Sequence, residues 1–216
     1  ALSHELRTPL TPVLLATVAL DQNNTLPDHV HRDLAMIRRN VELEARLIDD
    51  LLDLTRIAKG KLELRLGPMD VHSALRRALE ICRPDISDKG LHLDLHLDAT
   101  TTATMGDSVR VQQALWNLIR NAIKFTPRAG TITLRTGNNN SAGTPAVWVQ
   151  VRDTGIGFEP DESHKLFQAF EQGGRHITRQ FGGLGLGLAI STSIVETHGG
   201  TIRAESRGPN LGATFT

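Results

Sequence analysis

A histidine, a glutamate and a proline lie within the eight residues SHELRTPL at the start of the chain. The imidazole of His4 can act as a nucleophile. The far end of the chain carries the glycine-containing sequences DTGIGF and GGLGLGLAI, which allow a backbone to approach a ligand closely. Together, the two ends predict an acceptor site and a donor site for a phosphoryl group.

A helix predicted over residues 108–125 carries amides and an ammonium along one stripe, while its apolar residues face the core. The polar stripe consists of Gln113, Asn117, Asn121 and Lys124. Amide oxygens can coordinate a hard cation such as Mg²⁺, and a lysine one turn away can pair with phosphate oxygens. A solvated polar face is the alternative interpretation, and it would hold if this helix stood alone.

The sequence DTGIGF follows a strand predicted over residues 147–151 and places Asp153 before Gly155 and Gly157. A carboxylate at such a turn can accept a hydrogen bond from an exocyclic amine, which adenine offers and guanine offers at a different position. The alternative is an ordinary Asx turn.

Gly183, Gly185 and Gly187 run directly into a helix predicted to begin near Leu188. Free backbone N–H groups at a helix start favour phosphate. A dinucleotide-binding fold is excluded because no apolar strand precedes the glycines and Ile190 stands where a third small residue belongs. The chain also has no GxxxxGK[ST] sequence, which excludes a P-loop.

The stretch between the two glycine sequences, residues 159–181, has few strong core residues and predicts a mobile lid. It contains Phe167 and Phe170, followed by Arg179. We expect Arg179 to reach the transferred phosphate, because a cation is needed where negative charge builds up. The alternative is a plain surface arginine.

The composition of the 216 residues, 39% hydrophobic and 22% charged with no bilayer-length apolar run, is typical of a globular chain. Lys plus Arg equals Asp plus Glu at 24 each, which argues against nucleic-acid binding. The single Cys82 lies on the apolar face of a predicted helix, so we expect it to be buried. Without a cysteine cluster, a structural zinc site is not expected.

A helical pattern from Leu10 to about Ile57 is broken by polar residues and Pro27 between positions 21 and 28, which predicts a helical hairpin. The apolar face of the second arm is too wide for two helices to bury. A second copy would complete a dimeric four-helix bundle. Packing against the rest of the same chain is the alternative.

Beyond Lys59 and Gly60 the pattern becomes mixed, with a strand-like alternation of leucines over residues 62–66 and a helix capped by Asp70. Further strands are predicted from residue 91, at 130–136, at 146–152 and at 201–205, and helices at 108–125 and 188–198. This order of elements predicts an α+β fold.

Five sequences, SHELRTPL, WNLIRNAIKFT, DTGIGF, KLFQAFEQ and GGLGLGLAI, resemble the ordered boxes of sensor histidine kinases of two-component systems. Five boxes in the right order and with matching gaps make chance agreement very improbable. The resemblance implies a dimerisation and phosphoacceptor domain over residues 1–60. It also implies an ATP-binding α/β sandwich over residues 61–216, of the type shared with gyrase and chaperone ATPases.

By this resemblance His4 is the phosphorylated residue, whose ring nitrogen attacks the γ-phosphate of ATP, and Glu5 is the base. Thr8, one turn further along, resembles the residue that orients water when the kinase also dephosphorylates its partner. Thr8 and Pro9 also have the types of a helix N-cap and first helical residue, whereas the resemblance keeps His4 in a helix kinked at Pro9. The implied partner is a receiver domain with an acceptor aspartate.

The resemblance also assigns the nucleotide site. Asn121 is the expected Mg²⁺ ligand with Asn117 in support, Lys124 contacts the phosphates, and Asp153 accepts from the adenine amine. The other expected nucleotide contacts are Gly155, Gly157, Phe167, Phe170, Arg179, Gly183, Gly185 and Gly187. The family usually shows GGTGLGL, whereas this chain has Leu184 at the position of the threonine.

Two alternatives to an autokinase remain: an ATPase of the same superfamily that does not phosphorylate itself, and a non-catalytic dimerisation scaffold. The chain is expected to be a cytoplasmic piece of a longer protein, with any membrane association provided by upstream segments.

Overall fold

The computed structural model describes residues 8–23, 25–139, 146–170 and 184–216. The predicted phosphoacceptor His4 and its base Glu5 lie outside the described residues, as do Arg179 and Gly183. The chain divides into two compact units, Ala1–Lys61 and Leu62–Thr216, and each is considered by itself.

The described part of the first unit is a helical hairpin. Helix α1 spans Leu10–Asp21 and helix α2 spans Asp28–Ala58, and the two helices contact each other. At the connection, Oδ1 of Asp21 lies 2.8 Å from Nδ1 of His31. Many large apolar side chains of this unit are exposed: Val13, Leu15, Val18, Leu20, Met36, Ile37, Leu43 and Leu51.

The second unit contains seven strands and three helices within the described residues. In chain order they are β1 (Gly67–Asp70), α3 (Val71–Lys89), β2 (His92–Leu97), β3 (Ala103–Gly106), α4 (Ser108–Phe125), β4 (Thr131–Asn139), β5 (Ala146–Asp153), α5 (Gly187–Thr197), β6 (Ala204–Ser206) and β7 (Ala213–Phe215). Two short 3₁₀ helices, Pro160–Glu162 and Lys165–Phe167, follow β5.

The main sheet has five strands in the order β2-β4-β5-β7-β6. Strand β2 pairs with β4 in parallel and the other neighbours are antiparallel, so the sheet is mixed. Its inner face buries Ile132, Leu134 and Val151 against helices α3 and α4, which contribute Leu75 and Ile119. The predicted α+β architecture, a helical hairpin followed by an α/β sandwich, agrees with these elements.

Local sequence signals place the two core helices correctly. Asp70 caps α3 by accepting a hydrogen bond from the Ser73 backbone N–H at 2.6 Å, as predicted. Helix α4 has the predicted bounds, Ser108–Phe125, and begins directly after its cap Asp107. The side chain of Cys82 is 1% exposed within the core, which confirms the expectation of burial.

Two strand predictions are wrong in position. The alternating leucines over residues 62–66 form no strand, and Leu66 is 61% exposed. The first strand begins instead at Gly67, where β3 offers a backbone partner in a separate two-stranded sheet. The strand predicted over residues 201–205 covers Ala204–Ser206, which are the residues in register with β7.

Candidate functional site

The start of α4 is fixed by Asp107. Oδ1 of Asp107 accepts hydrogen bonds from the backbone N–H groups of Val109 at 3.1 Å and Arg110 at 3.2 Å, and Oδ2 accepts from Arg65 N at 3.0 Å. Burial alone would raise the pKa of Asp107, but these backbone hydrogen bonds outweigh it and hold the pKa below its ordinary value. The backbone N–H of Asp107 donates to Nε2 of His198 at 2.9 Å, which ties α4 to the end of α5.

The two asparagines of the polar stripe have different environments. Asn117 is buried, and its Nδ2 donates to the Gly187 carbonyl at 3.2 Å and to Oγ of Ser191 at 3.4 Å. Asn121 is half-buried, and its side-chain amide forms no hydrogen bond with any other described residue. Asn117 therefore joins α4 to the first turn of α5, whereas the amide of Asn121 can serve a ligand.

Lys124 lies one turn beyond Asn121, in the last turn of α4. Burial lowers the pKa of its ammonium, and the nearby charge of Arg120 lowers it further. Its Nζ lies 4.7 Å from the centroid of the Phe125 ring, which restricts where the side chain can point. A partly desolvated ammonium beside a second cation favours an anion in this place.

Asp153, at the end of β5, is only 4% exposed. Its Oδ1 accepts hydrogen bonds from the backbone N–H groups of Gly155 at 2.8 Å and Ala213 at 3.3 Å. Burial raises the pKa of this carboxyl, and the two backbone hydrogen bonds oppose the rise. Within the described residues no donor reaches Oδ2. The site therefore holds a buried acceptor atom that a ligand amine can satisfy.

The two glycines of DTGIGF lie where the backbone is too crowded for a side chain. A Cβ at Gly155 would lie 2.5 Å from the carbonyl oxygen of Phe125, and one at Gly157 would lie 2.4 Å from that of Gly208. The backbone N–H of Ile156 donates to the same Phe125 carbonyl at 3.3 Å. The loop after Asp153 is therefore held directly against the last residue of α4.

A second turn, residues 206–213, supports this loop and was not predicted from the sequence. Oγ of Ser206 donates to the Gly212 carbonyl at 2.8 Å and accepts from the Phe158 backbone N–H at 3.2 Å. Gly212 N donates to the Gly155 carbonyl at 3.0 Å, and the next residue supplies the Ala213 N–H that holds Asp153. The two glycines of GPNLG were the available signal of a tight turn before a last strand.

The start of α5 follows the second glycine sequence. Gly185 has a φ of 71°, in the left-handed region, and Gly187 is the first helical residue. Leu186, at the N-cap position, is 2% exposed and provides no side-chain hydrogen bond to the helix. The first N–H groups of α5 are therefore not capped by that residue, which leaves an end suited to phosphate.

Part of the predicted lid is described, and it contains both side chains that pack against the core and side chains that are exposed. Phe167 belongs to a 3₁₀ helix that contacts α5, and Leu166 and Phe167 pack against the core. Phe170 is 62% exposed and has a φ of 69°. Residues 171–181 of the predicted lid lie outside the described residues.

The structure brings together three of the predicted segments. Asn117 joins α4 to α5 at Gly187, and Phe125 joins α4 to the loop at Ile156. The amide stripe, the loop after Asp153 and the glycines before α5 therefore surround one region of the second unit. Thr8, exposed just before α1, belongs to the first unit.

Two family models match the chain. The model described as histidine kinase-, DNA gyrase B- and HSP90-like ATPase matches residues 106–216. The model of the His Kinase A (phospho-acceptor) domain matches residues 1–60.

Individual proteins show the same likeness. The chain is 37% identical over 219 residues to the signal transduction histidine-protein kinase BarA of Escherichia coli K12, covering 99% of this chain and 23% of BarA. It is 38% identical to the circadian input-output histidine kinase CikA of Synechococcus elongatus, over 100% of this chain and 28% of CikA. The chain thus spans about a quarter of the length of these relatives.

Among solved structures, full-length ShkA in complex with AMPPNP matches with a TM-score of 0.75 and 31% identity, over 99% of this chain and 43% of ShkA. The chain belongs to the histidine kinase-, DNA gyrase B- and HSP90-like ATPase family and forms the catalytic core of a sensor histidine kinase. The resemblance seen in the five sequence boxes is confirmed. Among the described residues, no helix is both long enough and apolar enough to cross a bilayer.

Proposed function

We propose that the chain is an ATP-dependent histidine autokinase. The second unit binds ATP with Mg²⁺ and transfers the γ-phosphoryl group to His4, from which it passes to an aspartate of a receiver domain. The observation that carries the proposal is the buried carboxylate of Asp153, whose Oδ2 meets no donor among the described residues. The AMPPNP in the ShkA complex supports an adenine nucleotide as the ligand.

Asp153 explains why the site would prefer adenine to guanine as the nucleobase. Its Oδ2 accepts a hydrogen bond from the 6-amino group of adenine, which would satisfy an otherwise orphaned buried acceptor. Guanine carries a carbonyl oxygen at that position, and an oxygen facing a buried carboxylate is repelled. The site would therefore discriminate against guanine, because its 6-oxo oxygen and Oδ2 of Asp153 are both acceptors and would face each other without a hydrogen.

The phosphates are matched by other polar groups of the same region. The amide oxygen of Asn121 is the hard donor type that Mg²⁺ prefers, and waters and phosphate oxygens would complete its coordination. Lys124, already favouring an anion, would pair with phosphate oxygens. Gly185 and Gly187 place backbone N–H groups at the start of α5, and Arg179 and Gly183 are the further contacts expected from the sequence.

The phosphoryl transfer is a displacement at the γ-phosphorus. A ring nitrogen of neutral His4 forms a bond to phosphorus as the bond to the β–γ bridging oxygen breaks, and ADP leaves. The proton on the other ring nitrogen passes to Glu5, so the phosphorylated imidazole is left neutral. The receiver aspartate then attacks the same phosphorus as the phosphorus–nitrogen bond breaks, and a proton returned from Glu5 leaves His4 as neutral imidazole.

Residues 1–60 are proposed to be the dimerisation and phosphoacceptor domain, and residues 61–216 the ATP-binding domain. The row of exposed apolar residues on α1 and α2 supports a homodimer, because a second hairpin would cover them in a four-helix bundle. Thr8, one turn after His4, would orient water in a phosphatase reaction on the phosphorylated partner.

Incubation with γ-labelled ATP and Mg²⁺ tests the proposal. A phosphoramidate on histidine is labile to acid and stable to alkali, so wild-type protein should carry label of that kind. His4→Gln should carry none and should bind nucleotide with unchanged affinity in calorimetry. ADP release without label would instead indicate an ATPase that does not phosphorylate itself. Absence of Mg²⁺-dependent nucleotide affinity would indicate a scaffold.

A further inference from the structure

The C-terminal ends of α3 and α4 lie side by side, joined by two cationic side chains. Nζ of Lys89, the last residue of α3, donates to the carbonyl oxygens of Ile123 at 2.6 Å and Lys124 at 3.0 Å. In the other direction, an Nη atom of Arg128, just after α4, donates to the carbonyl oxygen of Asp88 at 3.0 Å. Each helix end is thus bound by a cation that the other segment supplies.

The two cations compensate the partial negative charge at the C-terminal ends of α3 and α4. Both helix ends carry the negative pole of the backbone dipole and several carbonyls without an intrahelical donor. Burial lowers the pKa of Lys89, and the charge of Arg128 adds to that effect. The two cations are nevertheless kept close together because each faces the carbonyl end of a helix.

Four successive carbonyls of the last turn of α4 accept hydrogen bonds, and Lys89 donates to two of them. The Ala122 carbonyl accepts from the backbone N–H of Thr126 at 3.0 Å and from its Oγ1 at 2.6 Å, and the Phe125 carbonyl accepts from Ile156 N. Nζ of Lys89 donates to the two carbonyls between them. Loss of its ammonium would remove this charged donor from two adjacent carbonyls.

That turn carries the groups that face the nucleotide. The side chain of Lys124 projects from it, and the Phe125 carbonyl holds the DTGIGF loop through Ile156. A shift of this turn would move the ammonium and the loop together, whereas the hydrogen bond of Arg128 is to the end of α3.

We propose that Lys89 is a positioning residue for the nucleotide site, acting through the last turn of α4 on Lys124 and on the loop at Ile156. The inference rests on the proposed binding of ATP by this unit. Arg128, the second of the two cations, stabilises the contact between the C-terminal ends of α3 and α4 but does not position the nucleotide site.

Lys89→Met tests this proposal because it removes the ammonium and keeps most of the apolar stem. Its affinity for Mg²⁺–ADP in calorimetry should fall roughly tenfold, the equivalent of one charge-assisted hydrogen bond. Exchange of the Ile156 amide hydrogen should become faster, since its acceptor has moved. Lys89→Arg, which keeps a cationic donor, should recover most of the affinity.

Arg128→Gln is the matched control. It should lower the unfolding midpoint about as much as Lys89→Met while leaving the ADP affinity and the Ile156 exchange rate unchanged. If Lys89→Met proves unfolded, Lys89→Gln, which retains a neutral donor, takes its place. Its ADP affinity should fall and its Ile156 exchange rate should rise, both by less than expected for Lys89→Met. Equal affinity in wild type and the folded Lys89 variants overturns the inference. Failure of the wild type itself to bind ADP overturns the proposed function instead.

Discussion

Asp153→Asn isolates the contact proposed to select adenine. The asparagine oxygen can replace Oδ1 and keep the hydrogen bonds from Gly155 N and Ala213 N, which hold the side chain in place. An NH₂ group then stands where Oδ2 was, so a donor faces the adenine amine. The change alters one hydrogen-bonding atom at nearly constant shape and removes a buried charge.

The expected loss follows from that atom. A hydrogen bond to a charged acceptor is worth about 1.5–3 kcal/mol, so losing it should weaken ADP binding by roughly ten- to 150-fold. The unfolding free energy at neutral pH should stay constant or rise, because burial disfavours the ionised carboxyl that the substitution removes. Calorimetric titration with ADP and GDP, beside denaturant unfolding, measures both quantities.

Guanine provides the internal control for this variant. Its 6-oxo group can accept a hydrogen bond from the new NH₂, so GDP should bind more tightly to the variant than to the wild type. The ratio of ADP affinity to GDP affinity should therefore fall by a larger factor than the ADP affinity itself. If Asp153→Asn bound ADP as tightly as the wild type while remaining folded, Asp153 would not contact the base and the reasoning from its open Oδ2 would be refuted.

Gly155→Ala should abolish ADP binding and cost about 1–3 kcal/mol of stability, because its Cβ would lie 2.5 Å from the Phe125 carbonyl oxygen. Gly67→Ala, which meets nothing within 4 Å, is the control in thermal unfolding. Asn117→Ala should destabilise the fold by about 1–3 kcal/mol, because it removes a buried tie to α5. Asn121→Ala should leave the unfolding midpoint near that of wild type and abolish the Mg²⁺ dependence of nucleotide affinity in calorimetry. Asp107 has a lowered pKa in the folded state, so it contributes stability above its unfolded pKa and loses it as pH falls through the folded pKa. Asp107→Ala should therefore show a smaller loss of stability on acidification than wild type, and an equal acid dependence would contradict this assignment.

The elements predicted well were those fixed by local chemistry. Helix α4 was predictable because a capping aspartate, an apolar stripe and the breaker Pro127 all act within the segment. The leucines at 62–66 alternate equally clearly, yet alternation does not specify a strand partner. The backbone groups of β3 that select Gly67–Asp70 lie more than 30 residues away in a weakly patterned segment.

The candidate site divides in the same way. Residue types revealed Asp153 and the amide stripe, because each contributes its own chemistry. The supports were not visible, since Ala213 acts through its backbone N–H and is 60 residues from Asp153. Lys89 is ordinary in sequence, and only the side-by-side ends of α3 and α4 give it carbonyls to bind.

The most direct test of the central claim is to locate the phosphoryl group. Wild-type protein and Asp153→Asn would be incubated with Mg²⁺–ATP near the wild-type dissociation constant, digested with trypsin at neutral pH, and mapped by mass spectrometry. Of the nine histidines, only His4 lies in the peptide ALSHELR. The account predicts a phosphoryl mass on that peptide in wild type and a strongly reduced amount in the variant. A phosphoryl group on another peptide, or equal modification in both proteins, would contradict it.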